Sequence, residues 1–143
     1  MYDNITKPAH YGWHPSGVEA KEVTDDLPHW LGDAITYIWR RNHKGQPIDD
    51  RRKAITRLNE ATPERLYDVW LSVSRSAAVA ASRVGREPDH ILYLACQLVQ
   101  VADKEHRSRP LAGLVYHLKG ALQAELDELT ANEPRTPTIY EEQ

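Results

Sequence analysis

Between Pro110 and Leu129 the apolar residues Leu111, Leu114, Val115, Leu118, Leu122, Leu126 and Leu129 return every three or four positions. That spacing follows one face of an α-helix, with its period of about 3.6 residues, and not the period of about two of a half-buried strand. A helix with one apolar side must bury it against other elements, so this segment commits the chain to helix packing.

The same period recurs upstream. WLGDAITYIWRRNHKG sets Leu31, Ala34, Ile35, Ile38 and Trp39 at helical spacing, with Gly45 as the expected stop. PIDDRRKAITRLNEA opens with acids in its first turn, where the helix dipole favours them, and carries a thinner stripe of Ile48, Ala54, Ile55 and Leu58. Thr62-Pro63 is a start signal, because threonine caps and proline at the first helical position gives up no bond the helix needs. One long helix is predicted from there to about Gly85, with Leu66, Val69, Trp70 and Val73 on one face and the small residues of SAAVAAS admitting a close neighbour. Glu87-Pro88-Asp89 opens another, with Ile91, Leu94, Ala95, Leu98 and Val101 on its face. VEAKEVTDDL, nearer the N-terminus, suits a helix or an extended segment. No alternating strand run, Asn-Gly hairpin signal or fixed-period repeat is present.

The chain therefore reads as all-α: a helical bundle with an irregular N-terminal leader. Residues 1–60 form an N-terminal region, 62–131 three long antiparallel helices and 132–143 a flexible tail, in one folded unit. The apolar stripes also suit an oligomer interface. A length of 143 residues supports one domain with a genuine core. The net charge of −3 provides no global positive field for duplex phosphates, so nucleic acid is not an expected partner. Cys96, the only cysteine, lies in the apolar run ILYLACQLV and is expected to be a buried, inert thiol. No basic segment followed by an apolar core opens the chain, and no apolar run approaches the roughly 20 residues that span a bilayer. A cytoplasmic protein without a membrane partner is expected.

Common catalytic signatures are missing: no phosphate-binding G-x-x-x-x-G-K-[ST] loop, no G-x-G-x-x-G, no H-E-x-x-H and no G-x-S-x-G. A metal-dependent nucleoside triphosphate pyrophosphohydrolase needs carboxylate pairs on facing helices to hold Mg²⁺. Glu19 with Glu22 and Glu125 with Glu128 are such pairs, but neither has a second acidic motif one helix later. His10 and His14 are four apart, yet Gly12 and Pro15 oppose a helix there and no third ligand is evident, so no metal site is expected. The other histidines should mostly lie at the surface.

Basic residues concentrate around the first strong helix. Tyr37, Arg40 or Arg41, and Lys44 share a flank, and Arg51, Arg52 and Lys53 begin the next helix. Guanidinium groups grip phosphate oxygens in pairs, and tyrosine stacks on a base or bonds a sugar. The competing reading is a solvated basic face whose cations pair with Asp33, Asp49 and Asp50.

KPAHYGWHPSGVEAKEVT, then LGDAITYIWRRNHKG, then DDRRKA resembles, over residues 4–60, a small phage protein family of formerly unknown function. Its pattern is approximately K-P-x-H-Y, P-S-G-V-E, G-N-A-I-K-Y-I-W-R, K-G and D-x-x-K-A, and it includes the nucleotide kinase of a T7-like phage. The resemblance implies a deoxynucleoside monophosphate kinase without a P-loop, acting in the host cytoplasm, forming oligomers and taking a nucleoside triphosphate as phosphate donor, with or without Mg²⁺. It carries over His10, Arg40 and Lys44 as catalytic residues. Lys7, Tyr11, Ser16, Gly17, Glu19, Tyr37, Asp50 and Lys53 become substrate-binding residues, and Gly32 matches the pattern as well. In physical terms Lys7, Arg40, Lys44 and Lys53 would clamp phosphate, Ser16-Gly17 would offer backbone amides to an anion, and Glu19 would hold a sugar hydroxyl or Mg²⁺. Three positions depart: Asp33 stands where the pattern has asparagine, Thr36 where it has lysine, and Arg41-Asn42 where it has small residues. Losing a cation at 36 and gaining an anion at 33 weakens phosphate attraction there.

The leading expectation is thus a phage nucleotide-binding protein with possible transferase activity as a nucleotide kinase. The alternatives are a non-enzymatic module that sequesters a nucleotide or engages a host protein, and the pyrophosphohydrolase.

Overall fold

The computed structural model describes residues 13–86, 89–104 and 108–131. Among them are seven helices and no strand: α1 (Ala20–Thr24), α2 (His29–Arg40), α3 (Pro47–Leu58), α4 (Pro63–Ser72), α5 (Arg75–Ser82), α6 (His90–Lys104) and α7 (Ser108–Ala131). The all-α reading holds. No helix among the described residues is long and apolar enough to cross a membrane. The expected tail, 132–143, lies outside the described residues.

α7 is the long element on which the others assemble. It packs against α3, α4 and α6, while α2 lies on α3 and α5 on α6. Leu111, Val115, Leu118, Leu122 and Leu126 of its predicted stripe are buried, with Leu114 and Leu129 at the margin. One core cluster joins Leu111, Val115, Leu118 and Leu122 to Leu31, Ile35, Ile38 and Trp39 of α2, Leu58 of α3, Leu66 and Val69 of α4, and Leu92, Leu98 and Val99 of α6.

The long helix predicted from Thr62 to Gly85 is two helices. Thr62 caps α4 as expected, its hydroxyl accepting the Arg65 N–H at 3.3 Å. At Val73 the backbone turns extended, and the Ser74 hydroxyl accepts the Ala77 N–H at 3.1 Å to start α5. A serine that satisfies an orphan amide of a new helix competes with continuing the old one. The joint re-aims the chain so that Ala77, Ala80 and Ala81 enter the core.

α2 also stops early, at Arg40 rather than near Gly45. A helix leaves its last carbonyls without partners. Here the Trp13 indole N–H donates to the Trp39 carbonyl at 2.7 Å. Gly45, at φ +82°, takes the left-handed turn into α3 that side-chain-bearing residues avoid. Pro47 then opens α3, with Asp49 and Asp50 in its first turn.

Candidate functional site

Trp13 and His14 pack onto the C-terminal end of α2. Besides donating to Trp39, Trp13 stacks its ring on His43 with centroids 4.1 Å apart and planes at 23°. His14 is buried, and its Nδ1 accepts the Ser16 N–H at 3.1 Å and lies 2.8 Å from the Ser16 hydroxyl. With Nδ1 accepting from a backbone amide, the ring carries its proton on Nε2. Burial lowers the His14 pKa, against the raising effect of the Asp89 charge, and so favours the neutral ring.

The turn after His14 closes on itself. Gly17, at φ +80°, donates its N–H to the His14 carbonyl at 3.0 Å, and Val18 donates to the Ser16 hydroxyl at 3.2 Å. The amides of residues 16 to 18, expected in part to face an anion, are engaged within the turn. Glu19 precedes α1, its N–H donating to the Glu22 carboxylate at 2.6 Å. This carboxylate pair starts a helix.

Tyr37, Arg40, Asp50 and Lys53 come together where α2 and α3 meet. Arg40, in the last turn of α2, donates from Nε and Nη2 to one oxygen of Asp50, in the first turn of α3, at 3.3 and 3.2 Å. Asp50 has no exposed surface and Arg40 is only 8% exposed, so Arg40 is a structural partner rather than an open phosphate clamp. Its guanidinium carbon stands 4.7 Å from the Tyr37 ring centroid, and the Lys53 ammonium 5.7 Å from it. Two cations thus lie against one electron-rich ring.

Tyr37, Arg52, Lys53, Thr56 and Arg57 line an open hollow of about 350 Å³ on this surface. Arg57 is tied to Asp33 at 3.5 Å and to Glu60 at 3.2 Å. Arg52 and Lys53 are exposed, and among the described residues neither has a carboxylate partner. Lys44 is exposed in the connection between α2 and α3 and does not line the hollow. Lys7, His10 and Tyr11 lie outside the described residues.

Arg41 and Arg51, read from the sequence as part of the basic surface, instead point inward. Arg41 donates to both oxygens of Asp89 at 2.7 and 2.8 Å, to Glu125 at 3.0 Å and to the Ile38 carbonyl at 2.8 Å. Arg51 donates to the same Glu125 oxygen at 2.8 Å, to Asn42 at 2.8 Å and to the Pro47 carbonyl at 2.9 Å. Asp89 also caps α6 by accepting the Leu92 N–H at 3.0 Å. Burial alone would lower the Arg41 pKa, but hydrogen bonds and charge from Asp89 and Glu125 outweigh it and the pKa is raised. Asp89 mirrors this: burial pushes its carboxyl up, yet Arg41 and the Leu92 and Ile91 amides bring it below the usual carboxylate range.

Glu125, half of the second carboxylate pair, is therefore occupied by two guanidinium groups. No group of three or more metal-ligating side chains converges among the described residues. Arg52, Thr56 and Arg57 are the site residues that the motifs left out. Helical spacing from Lys53 points to Thr56 and Arg57, one turn on, whereas the only sequence signal at Arg52 is its charge. Comparison of the chain with protein-family models, with curated proteins and with solved structures finds no match.

Proposed function

We propose that this protein binds a nucleotide on the joint surface of α2 and α3, with Arg52 and Lys53 meeting its phosphate and Tyr37 its sugar or base. The observation that carries the reading is the hollow itself, where an aromatic ring, a threonine hydroxyl and the exposed cations Arg52 and Lys53 share about 350 Å³. That volume falls in the range of about 300 to 1,000 Å³ usual for small-molecule sites. The resemblance of residues 4–60 to the phage nucleotide kinase family supports the same ligand class.

Binding without turnover is the form that the side chains favour. Phosphoryl transfer relies on positioned cations that neutralise developing charge. Arg40, the residue carried over for that task, is held by Asp50 on one side and by the Tyr37 ring on another. A nucleotide kinase reading keeps Lys53 and adds residues of the leader, with a nucleoside triphosphate as donor and Mg²⁺ as the metal it would use.

Calorimetric titration with deoxynucleoside monophosphates and with nucleoside triphosphates, with and without Mg²⁺, tests the proposal. Saturable binding that weakens in Lys53→Ala and Arg52→Ala is the expected result, and no heat from any nucleotide overturns it. Nucleoside diphosphate formation in the same mixtures separates the kinase from the sequestering module.

A further inference from the structure

Arg109, Gly113, Tyr116, Gly120, Ala124 and Asp127 fall along one outward face of α7, and each is exposed. Tyr116 is 73% exposed, the highest value among the large apolar side chains at the surface of the described residues. It borders a groove of about 650 Å³ between α3 and α7, lined in part by Ile55 and Ala121. Tyr67 and Leu71, exposed on α4, add apolar area on a helix that also packs against α7.

Gly113 and Gly120 lie seven residues, or two turns, apart on this face. Among the described residues a Cβ on either would meet nothing within 4 Å, and neither has a positive φ. Nothing among the described residues therefore requires glycine at these positions, and glycine weakens a helix interior. A backbone approaching from outside would account for both.

The charges indicate what approaches. The N-terminal half of the face carries Arg109 and the C-terminal half Asp127, with exposed Glu128 beside it, so the face is complementary to itself when reversed. We propose that α7 packs antiparallel against α7 of a second copy of this chain, about a two-fold axis passing by Gly120. In that register Tyr116 covers Ala124 of the second copy, and Arg109 comes within one turn of that copy's Asp127 and Glu128. A parallel pairing would set Arg109 on Arg109 and Asp127 on Asp127, which like-charge repulsion opposes. Two-fold symmetry makes each of these contacts twice.

Sedimentation equilibrium of the full chain across a dilution series, with circular dichroism as the control for folding, tests the pairing. The wild type should dissociate as a dimer. Tyr116→Glu and Gly120→Leu should each raise the dimer dissociation constant by about ten-fold or more at unchanged helicity. Arg109→Glu should weaken the dimer, and adding Asp127→Arg with Glu128→Arg should restore it. A wild type that stays monomeric at the highest concentration overturns the proposal and leaves the face to a different protein. A dimer indifferent to all of these substitutions also overturns it.

Discussion

Arg41 and Asp89, 48 residues apart in the sequence, meet through paired hydrogen bonds of 2.7 and 2.8 Å that fasten the end of α2 to the start of α6. Their side chains are 3% and 10% exposed, so neither charge has water to fall back on. Removing one partner of a buried pair strands the other, at a cost of about 3–5 kcal/mol. Asp89→Ala leaves Arg41 its bond to Glu125, so it should destabilise the fold by less than that full cost in urea unfolding, with a further contribution from the lost α6 cap. Asp89→Asn, which can still cap, should cost less.

Acid should weaken the fold in two stages. Both His14 and Asp89 have folded pKa values below their unfolded ones. In each case the unfolded chain binds the proton more readily, so stability rises with pH through the window between the two values. The His14 contribution is complete above the unfolded histidine value of about 6.5 and is lost as the pH falls below it. That of Asp89 is lost below the unfolded carboxyl value of about 3.9. Thermal melts between neutral and acid pH should show both steps, and His14→Gln should remove the first alone.

Nucleotide binding, if it uses the hollow beside Tyr37, should follow charge. Arg52→Ala and Lys53→Ala remove exposed cations that carry little of the fold, so each should weaken affinity about 5- to 10-fold at unchanged melting temperature. Arg40→Ala should instead lower the melting temperature, because it leaves the buried Asp50 carboxylate without its cation. An Arg40→Ala protein of undiminished stability would refute that assignment.

The α4–α5 joint depends on one hydroxyl. Ser74→Ala removes the acceptor for the Ala77 amide and should cost about 1 kcal/mol in denaturant unfolding. Ser74→Asp, which keeps a capping oxygen at the helix N-terminus, should restore it.

Cys96 is fully buried, and burial pushes its thiol pKa up to about 12. Only the thiolate reacts at a useful rate. Thiol reagents at neutral pH should label the native chain only as fast as it opens, and labelling should accelerate sharply in denaturant.

The all-α class, the α7 stripe, the Thr62 cap and the inert thiol were legible because each rests on residues within a few turns of one another. Local spacing and local capping are enough to specify them. Ser74 is a local cap as well, but the apolar run on either side of it concealed the break.

The basic cluster is where local information ran out. Arg40, Arg41, Arg51, Arg52 and Lys53 carry the same formal charge, and helical spacing gave no reason to divide them. Packing does divide them: carboxylates at Asp50, Asp89 and Glu125 draw Arg40, Arg41 and Arg51 inward, leaving Arg52 and Lys53 at the surface beside Tyr37. Sequence periodicity tells which side of a helix is apolar and so establishes the helices and the faces they bury. Which cations remain available to a ligand depends on carboxylates as far as 84 residues away, and a buried charge stays inside only where the assembled fold supplies its counter-charge.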